Sequence, residues 1–290
     1  MTLVSMTLFW GLSYHLVDVC VWETGTAGLT GMRFILAFFI TAIAFHGKLK
    51  EIDKTTLWDG FLIGVCLSGC YQTATLSIQN TITSNAAFLC TLSLMIVPLI
   101  EFVLYRKRPP AKIVVTISIA LVGIFLLTMG SGFEFGSKHL FGDLCGLGSS
   151  LFYAFDMVLT DRAVGKHNED PIAVGICSIG WTGVIMLAIS FAIHDISLPH
   201  SQGAIIAFLI LVVFCSAYPF IMQPVAQRYT ETSHVGIIIT LEPVFASIFA
   251  FLLEGAVPSG TQLLGQILMF SSMLLLEIDL PSRRSTSLLR

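Results

Sequence analysis

Glu242 stands immediately before Pro243, about eight residues into an apolar stretch at 235–253. A carboxyl at that depth would lie near the middle of a bilayer. An ionised group there costs several kcal/mol unless it faces a polar interior, is paired, or takes up a proton. Two chemistries suit such a group: it can bind a substrate amine, or it can carry a coupling proton. Moving one charge across 100 mV is worth about 2.3 kcal/mol, enough to drive a substantial gradient. A purely structural use also exists, in which a protonated Glu242 bonds the backbone loosened by Pro243. Pro98 and Pro243 each remove an N–H and press on the carbonyl four residues back, at Leu94 and Ile239. In lipid, a freed carbonyl is tolerated only inside protein or against a watery cavity. Both prolines are therefore gating candidates, with Pro219 and Pro224 behind them, and a fixed packing kink is the alternative.

An aromatic and amide set accompanies them. Trp10, Tyr14, Tyr71, Gln72, Tyr153 and Tyr218 are candidates to line a cavity for a neutral or zwitterionic metabolite. Taken singly, each is equally at home in packing or in an interfacial belt. Gln72, Thr75 and Gln79 form a polar stripe at helical spacing. Asn85 and His234 read as helix-start or gate residues. Asp18 and Arg33 lie at similar depths and are expected to form a structural ion pair. Asp156 and Glu101 are expected to snorkel toward basic loops. The seven cysteines all fall in apolar stretches, with neither CxxC nor CxxH spacing, and read as small buried hydrophobes. Gly60/Gly64/Ser68 and Gly142/Gly146/Ser150 read as close helix packing.

The elements that must position these residues are membrane helices. The 290 residues are 55% hydrophobic and 11% charged, with a mean hydropathy of +0.87. A soluble domain carries about 25% charge, so this chain has too little polar surface to coat a water-facing globule. Ten apolar stretches near the length of a span run over 2–21, 26–45, 57–78, 84–105, 112–129, 141–160, 172–193, 203–226, 235–253 and 261–278. No cleavable leader is evident. Alternate loops hold 13 of the 15 basic residues, which predicts that both termini are cytoplasmic.

The segments 81–127 and 230–276, laid over one another without a gap, match at ten of 47 positions. Chance in so apolar a composition gives roughly four or five. If each copy closes a bundle of five helices, the second bundle is inserted upside down, as in many secondary transporters. The predicted fold is an all-α polytopic membrane protein of ten transmembrane helices, arranged as two inverted five-helix repeats. The first repeat covers 1–130 and the second 131–280, followed by a cytoplasmic tail at 281–290.

Several of these segments resemble the EamA-type drug/metabolite transporter superfamily. The most specific is AQRYTETSHVGIIITLEPVFASIFAFLL at 226–253. TSNAAFL with Pro98 and RKRPP resembles the corresponding first-half signature. FWGLSY at 9–14, MRF at 32–34 and FGDLCGLGSSLFYA at 141–154 add to it. The resemblance covers essentially the whole chain. It implies a ten-helix inverted repeat and alternating-access movement of a small solute, usually outward. The chain departs from the family's "GE" pair after the fourth and ninth helices, where Lys107 and Ala256 stand, with Glu254 two residues early.

The reading that follows is a secondary transporter of the cytoplasmic membrane, not an enzyme. Its cargo would be a small organic metabolite such as an amino acid or amine, exported more often than imported, with Glu242 either binding the substrate amine or carrying a coupling proton. No nucleotide-binding loop and no HExxH-type cluster occurs. A non-transporting scaffold or sensor, or a membrane-embedded enzyme, stands as the alternative. The expected partners are the solute, the lipid bilayer and protons; no nucleic acid, cofactor or metal is expected. Substrate, direction and oligomeric state are left open by the residues.

Overall fold

Long apolar segments can satisfy their backbone within lipid only as helices or closed barrels, and this chain lacks the alternation of a barrel strand. In the computed structural model, residues 2–81, 89–106, 109–129, 140–255 and 257–277 are described, and every regular element among them is helical. Asn85, Lys107, Arg108, Lys138, Ala256 and the tail at 281–290 lie outside the described residues.

The helices are α1 (Thr2–Thr24), α2 (Thr26–Ala44), α3 (Lys54–Asn80), α4 (Ser93–Tyr105), α5 (Ala111–Met129), α6 (Leu140–Asp161), α7 (Pro171–Ala192), α8 (Gln202–Tyr229), α9 (Thr232–Ile239), α10 (Glu242–Glu254) and α11 (Gly260–Glu277). By length and apolarity together, five stretches among the described residues qualify as spans: α1, α2, α7, α8 and the run Thr232–Leu253 through α9 and α10. Shorter apolar runs fill α5 and α11. Helices α3 and α6 are long enough at 27 and 22 residues. Their hydropathy is diluted by Gln72, Thr73, Thr75, Ser77 and Gln79 in the one, and by Asp143, Asp156 and Asp161 in the other. The protein is an all-α polytopic membrane protein, with five spans among the described residues by strict length and hydropathy where the sequence predicts ten.

Helix α3 packs on α6 and α7, α2 on α7, α5 on α11, and α1 on α10 and α8. Glycine permits the closest of these approaches. A Cβ at Gly60 would lie 2.4 Å from the Cys177 Cβ, and one at Gly64 would lie 2.6 Å from the Trp181 Cβ. A Cβ at Gly142 would meet the Asn80 backbone at 2.5 Å. These small-residue runs are packing surfaces, as their spacing predicts. Large apolar side chains such as Phe39, Val103, Phe191 and Leu252 stay exposed, a surface suited to lipid and not to water. Helix α8 accommodates Pro219 through a π-turn at Val213–Ala217, which absorbs the amide that Pro219 lacks, whereas Pro224 lies inside the α-helical turns that follow.

Helix ends sort the molecule into two faces. At one, the loops after α2 and α6 and the end of α8 bring together Lys48, Arg162, His167, Asp170 and Arg228. At this basic end, α9 starts beside the end of α4: the Ser233 hydroxyl donates to Glu101 at 3.0 Å. At the other end, Asp195 accepts from the Ala27 N–H at 3.0 Å and caps α2. Gly25, with φ of +70°, is the one residue type that fits there, since a Cβ would sit 1.8 Å from the Asp195 carboxylate.

Also at that end, Glu23 accepts the backbone N–H groups of His200 (2.8 Å) and Ser201 (3.1 Å), tying α1 to the start of α8. A carboxylate accepting two amides is a strong tie, because charge-assisted hydrogen bonds are roughly twice as strong as neutral ones. Glu23→Gln keeps the length of the side chain but loses the charge, so it is expected to lower the melting temperature of the detergent-solubilised protein at neutral pH by a few degrees. Thermal unfolding followed by intrinsic fluorescence checks this. An unchanged melting temperature would show the contact to be energetically idle.

Candidate functional site

Pro243 cannot donate to the Ile239 carbonyl, and the helical ladder stops there. Helix α9 ends at Ile239, and the Thr240 N–H turns back on Gly236 (3.3 Å) and Ile237 (3.2 Å). The Leu241 N–H bonds Ile238 at 3.1 Å, and α10 then opens at Glu242 with Pro243 in its first turn. Proline is well suited to that position, where its missing N–H has no partner to lose. Glu242 thus occupies a helix N-terminus, where the backbone dipole favours a carboxylate.

The first half carries the same interruption. The Leu92 N–H bonds Leu89 at 3.2 Å, and α4 opens at Ser93. Leu92 and Leu241 are equivalent positions of the repeat, and their backbone angles nearly coincide (φ −65°, ψ −9° and φ −74°, ψ −10°). Pro98 lies inside α4, so the break is not at Leu94, where its ring alone would have put it. The interruption follows the repeat and not the proline. Ser93 is the counterpart of Glu242, and the charge belongs to one half only.

Tyr14 completes the pair. Its hydroxyl stands beside the Glu242 carboxyl, close enough for the two groups to interact. Tyr14 sits midway along α1, within electrostatic reach of Glu242, Cys90 and Tyr71 on three other segments, so it faces the middle of the bundle. It is nevertheless 53% exposed. Exposure on an inward face means an open space beside the Tyr14–Glu242 pair. Gly11, one turn earlier, allows α1 to come this close: a Cβ there would lie 2.6 Å from the Phe245 Cβ and 2.8 Å from the Ala246 nitrogen.

Next to this pair lies a ring of aromatics around a buried cation. Arg33 is 4% exposed, and its guanidinium stands 4.9 Å from the Tyr71 ring centroid and 5.2 Å from that of Phe34. Phe34 meets Tyr71 edge-on at 5.4 Å and Phe220 at 5.1 Å, and Phe220 meets Trp10 at 5.6 Å. The Trp10 indole N–H and the Arg33 Nε have no hydrogen-bond partner. The ion pair expected between Asp18 and Arg33 is not formed among the described residues. Asp18 is exposed, whereas Arg33 turns inward onto the rings.

The remaining candidates divide. Tyr153 shares the electrostatic neighbourhood of Glu242, and its buried hydroxyl has no partner. Gln72 is half-buried beside Tyr71 on α3. Tyr218 is taken up by a clasp between α1 and α8, its hydroxyl 2.7 Å from Ser5 and its ring edge-on to Phe9 at 5.7 Å. His234 is half-buried in the first turn of α9, its backbone N–H on the Glu231 carbonyl, and Asn85 lies outside the described residues. Asp156 does not snorkel. It is 1% exposed and accepts from the Gln223 side chain at 3.1 Å. Gln227, one turn further along α8, donates to the Met157 carbonyl at 2.8 Å, and the carbonyl oxygens of both glutamine side chains are unpartnered. Sequence reading missed Gln223 and Gln227, whose spacing of four on an apolar helix was the available signal.

Against known families, the EamA-like transporter family matches twice, over residues 1–129 and 140–278. The chain belongs to the EamA-like transporter family. An uncharacterized transporter of Archaeoglobus fulgidus is 23% identical over 279 residues, covering 95% of this chain and 84% of the other. The threonine/homoserine exporter RhtA of Salmonella typhimurium is 24% identical over 247 residues, covering 83% and 78%. A protein of known crystal structure shares the fold at a TM-score of 0.79 over 95% of this chain and 94% of that one, with 16% identity. For this EamA-like protein, Tyr14, Glu242 and the Arg33 ring make up the polar centre of the bundle.

Proposed function

We propose that this EamA-like protein is a ten-span secondary transporter built of two inverted five-helix halves, 1–130 and 131–280. In this reading it exports a small organic metabolite bearing an amine by alternating access, with Glu242 as the amine- or proton-binding group. The basic end faces the cytoplasm, together with both termini. One observation carries the proposal: Tyr14 and Glu242, side by side on inward faces, border open space. A charged group beside an internal opening in a membrane bundle is a functional site by default, because lipid-side packing gives it no reason to exist.

Three further observations support the halves. The family matches once in each, the breaks at Leu92 and Leu241 are equivalent, and α9 starts where α4 ends. Interrupted helices near the midplane are where such transporters bind solute. The relative named as a threonine/homoserine exporter directs attention to small amino acids, whose ammonium suits Glu242 and whose carboxylate suits Arg33. A scaffold would favour a dry, apolar midplane, which Tyr14 and Glu242 do not make.

Purified protein reconstituted in liposomes is expected to show saturable counterflow of radiolabelled small neutral amino acids, faster with an imposed pH gradient. Counterflow no greater than in protein-free liposomes for amino acids and simple amines alike would remove the proposal.

A further inference from the structure

At the basic end, outside the central site, three side chains from distant parts of the sequence converge. Asp59 comes from the second turn of α3, and His167 and Glu169 from the loop between α6 and α7. His167 Nδ1 is 2.5 Å from Asp59 Oδ2 and 3.8 Å from Glu169 Oε1. One ligand atom of each residue lies within 4.8 Å of the other two. Asp59 and Glu169 leave only 6% and 8% of their surface exposed.

The two carboxylates are not equally served. Asp59 has the imidazole, but neither oxygen of Glu169 has a hydrogen-bond partner. The nearby groups are committed elsewhere. The Thr56 hydroxyl donates to Asp53, and Lys48 pairs with Asp170 at 2.7 Å. Arg228 donates to the Glu169 backbone carbonyl at 3.0 Å and to Asn168 at 2.9 Å. Burying two carboxyl groups side by side is costly, and one imidazole, in hydrogen-bond contact with Asp59 alone, offsets it only in part.

The loop is also held in place before anything binds. A π-turn at Arg162–Lys166 ends α6, Asn168 adopts a left-handed φ of 56°, and the Glu169 N–H closes on the Ala163 carbonyl at 3.1 Å. Across from it, Gly60 seats α3 directly on α7 and fixes Asp59 over the loop. The donor atoms are therefore carried on braced backbone, as a coordination site requires.

We propose that Asp59, His167 and Glu169 form a binding site for a divalent first-row transition cation that clamps α3 to the α6–α7 loop. Two carboxylate oxygens and one imidazole nitrogen form a mixed set that suits Mn²⁺ or Zn²⁺ better than Mg²⁺, which prefers oxygen and keeps its waters. The ion enters between Asp59 and His167, whose present contact opens to the spacing of two ligands on one metal. His167 then carries its proton on Nε2, so Arg162, which now donates to that nitrogen at 3.3 Å, swings away. Arg162 is exposed and free to do so.

The test uses the full chain in detergent, without a polyhistidine tag and stripped with EDTA. Mn²⁺ binding is followed by the loss of its free-ion paramagnetic resonance signal, with Zn²⁺ and Mg²⁺ as competitors. The expected result is one saturable Mn²⁺ per chain, displaced by Zn²⁺ and poorly by Mg²⁺, with Glu169→Gln and Asp59→Asn each weakening it by at least about tenfold. Both variants are near-isosteric, and gel filtration checks that they fold. The absence of saturable Mn²⁺ or Zn²⁺ binding to the parent at millimolar concentrations overturns the proposal without any variant. Unchanged affinity in both folded variants also overturns it.

Discussion

Replacing Glu242 by glutamine is expected to reduce transport by more than about tenfold and to flatten its dependence on pH, while the protein still folds. Gln keeps the length and one acceptor of the side chain, so its place beside the Tyr14 hydroxyl and the start of α10 survive. What disappears is the charge. If an ammonium substrate binds there, truncating one member of a desolvated charge pair costs about 2–5 kcal/mol, and the lower bound alone is more than tenfold. If the residue carries a proton instead, Gln has none to exchange, and transport loses its response to an imposed pH gradient. The two roles separate in one data set: loss of substrate affinity with pH response retained marks the amine site, and loss of pH response with affinity retained marks the proton site. Tyr14→Phe should act in the same direction but more weakly, because a hydrogen bond to a charged group is worth about 1.5–3 kcal/mol. A Glu242→Gln protein whose rate and pH profile match the parent would leave the Tyr14–Glu242 pair with a structural role only.

That Glu242 is legible in the sequence at all has a simple cause. A charged residue inside a long apolar stretch violates the composition of its surroundings, and the following proline marks where the helix must give way. The break at Ile239 follows from covalent chemistry, and the structure has it there. The first-half break is not legible in the same way. Nothing local at Leu92 announces an interruption, and Pro98, six residues on, points elsewhere. Only the alignment of Leu92 with Leu241 marks it. Depth along the helix pairs Arg33 with Asp18. Depth says nothing about rotation about the helix axis, and rotation turns Arg33 onto Tyr71 and Phe34 instead. The same gap separates the snorkelling expected of Asp156 from its buried contact with Gln223. The Asp59–His167–Glu169 group could not be seen, because its members lie 108 residues apart in the chain and only the packing of α3 on α7 unites them.

Rotation and close approach also set the second large expected effect. Gly11→Ala adds a single methyl, yet it should impair both folding and transport. That methyl would lie 2.8 Å from the Ala246 nitrogen and 3.0 Å from the Glu242 carbonyl oxygen, both backbone atoms of the first turns of α10. Backbone cannot rotate aside as a long side chain can, so α1 and α10 must separate by more than about half an ångström to reach ordinary contact. Overpacking of this kind costs about 1–3 kcal/mol. The same displacement moves Tyr14, one turn along α1, away from Glu242, the first residue of α10. Transport should then fall by roughly tenfold or more, since sub-ångström misplacement of a working group is felt strongly. Gly47→Ala supplies the control, because a Cβ there meets nothing within 4 Å and should leave both melting temperature and transport unchanged. If Gly11→Ala lowered the melting temperature yet transported at the parent rate, the α1–α10 contact would be structural alone, and the position of Tyr14 against Glu242 would not matter. If both readouts fall together while Gly47→Ala is silent, the spacing between α1 and α10 is what holds the central pair in working order.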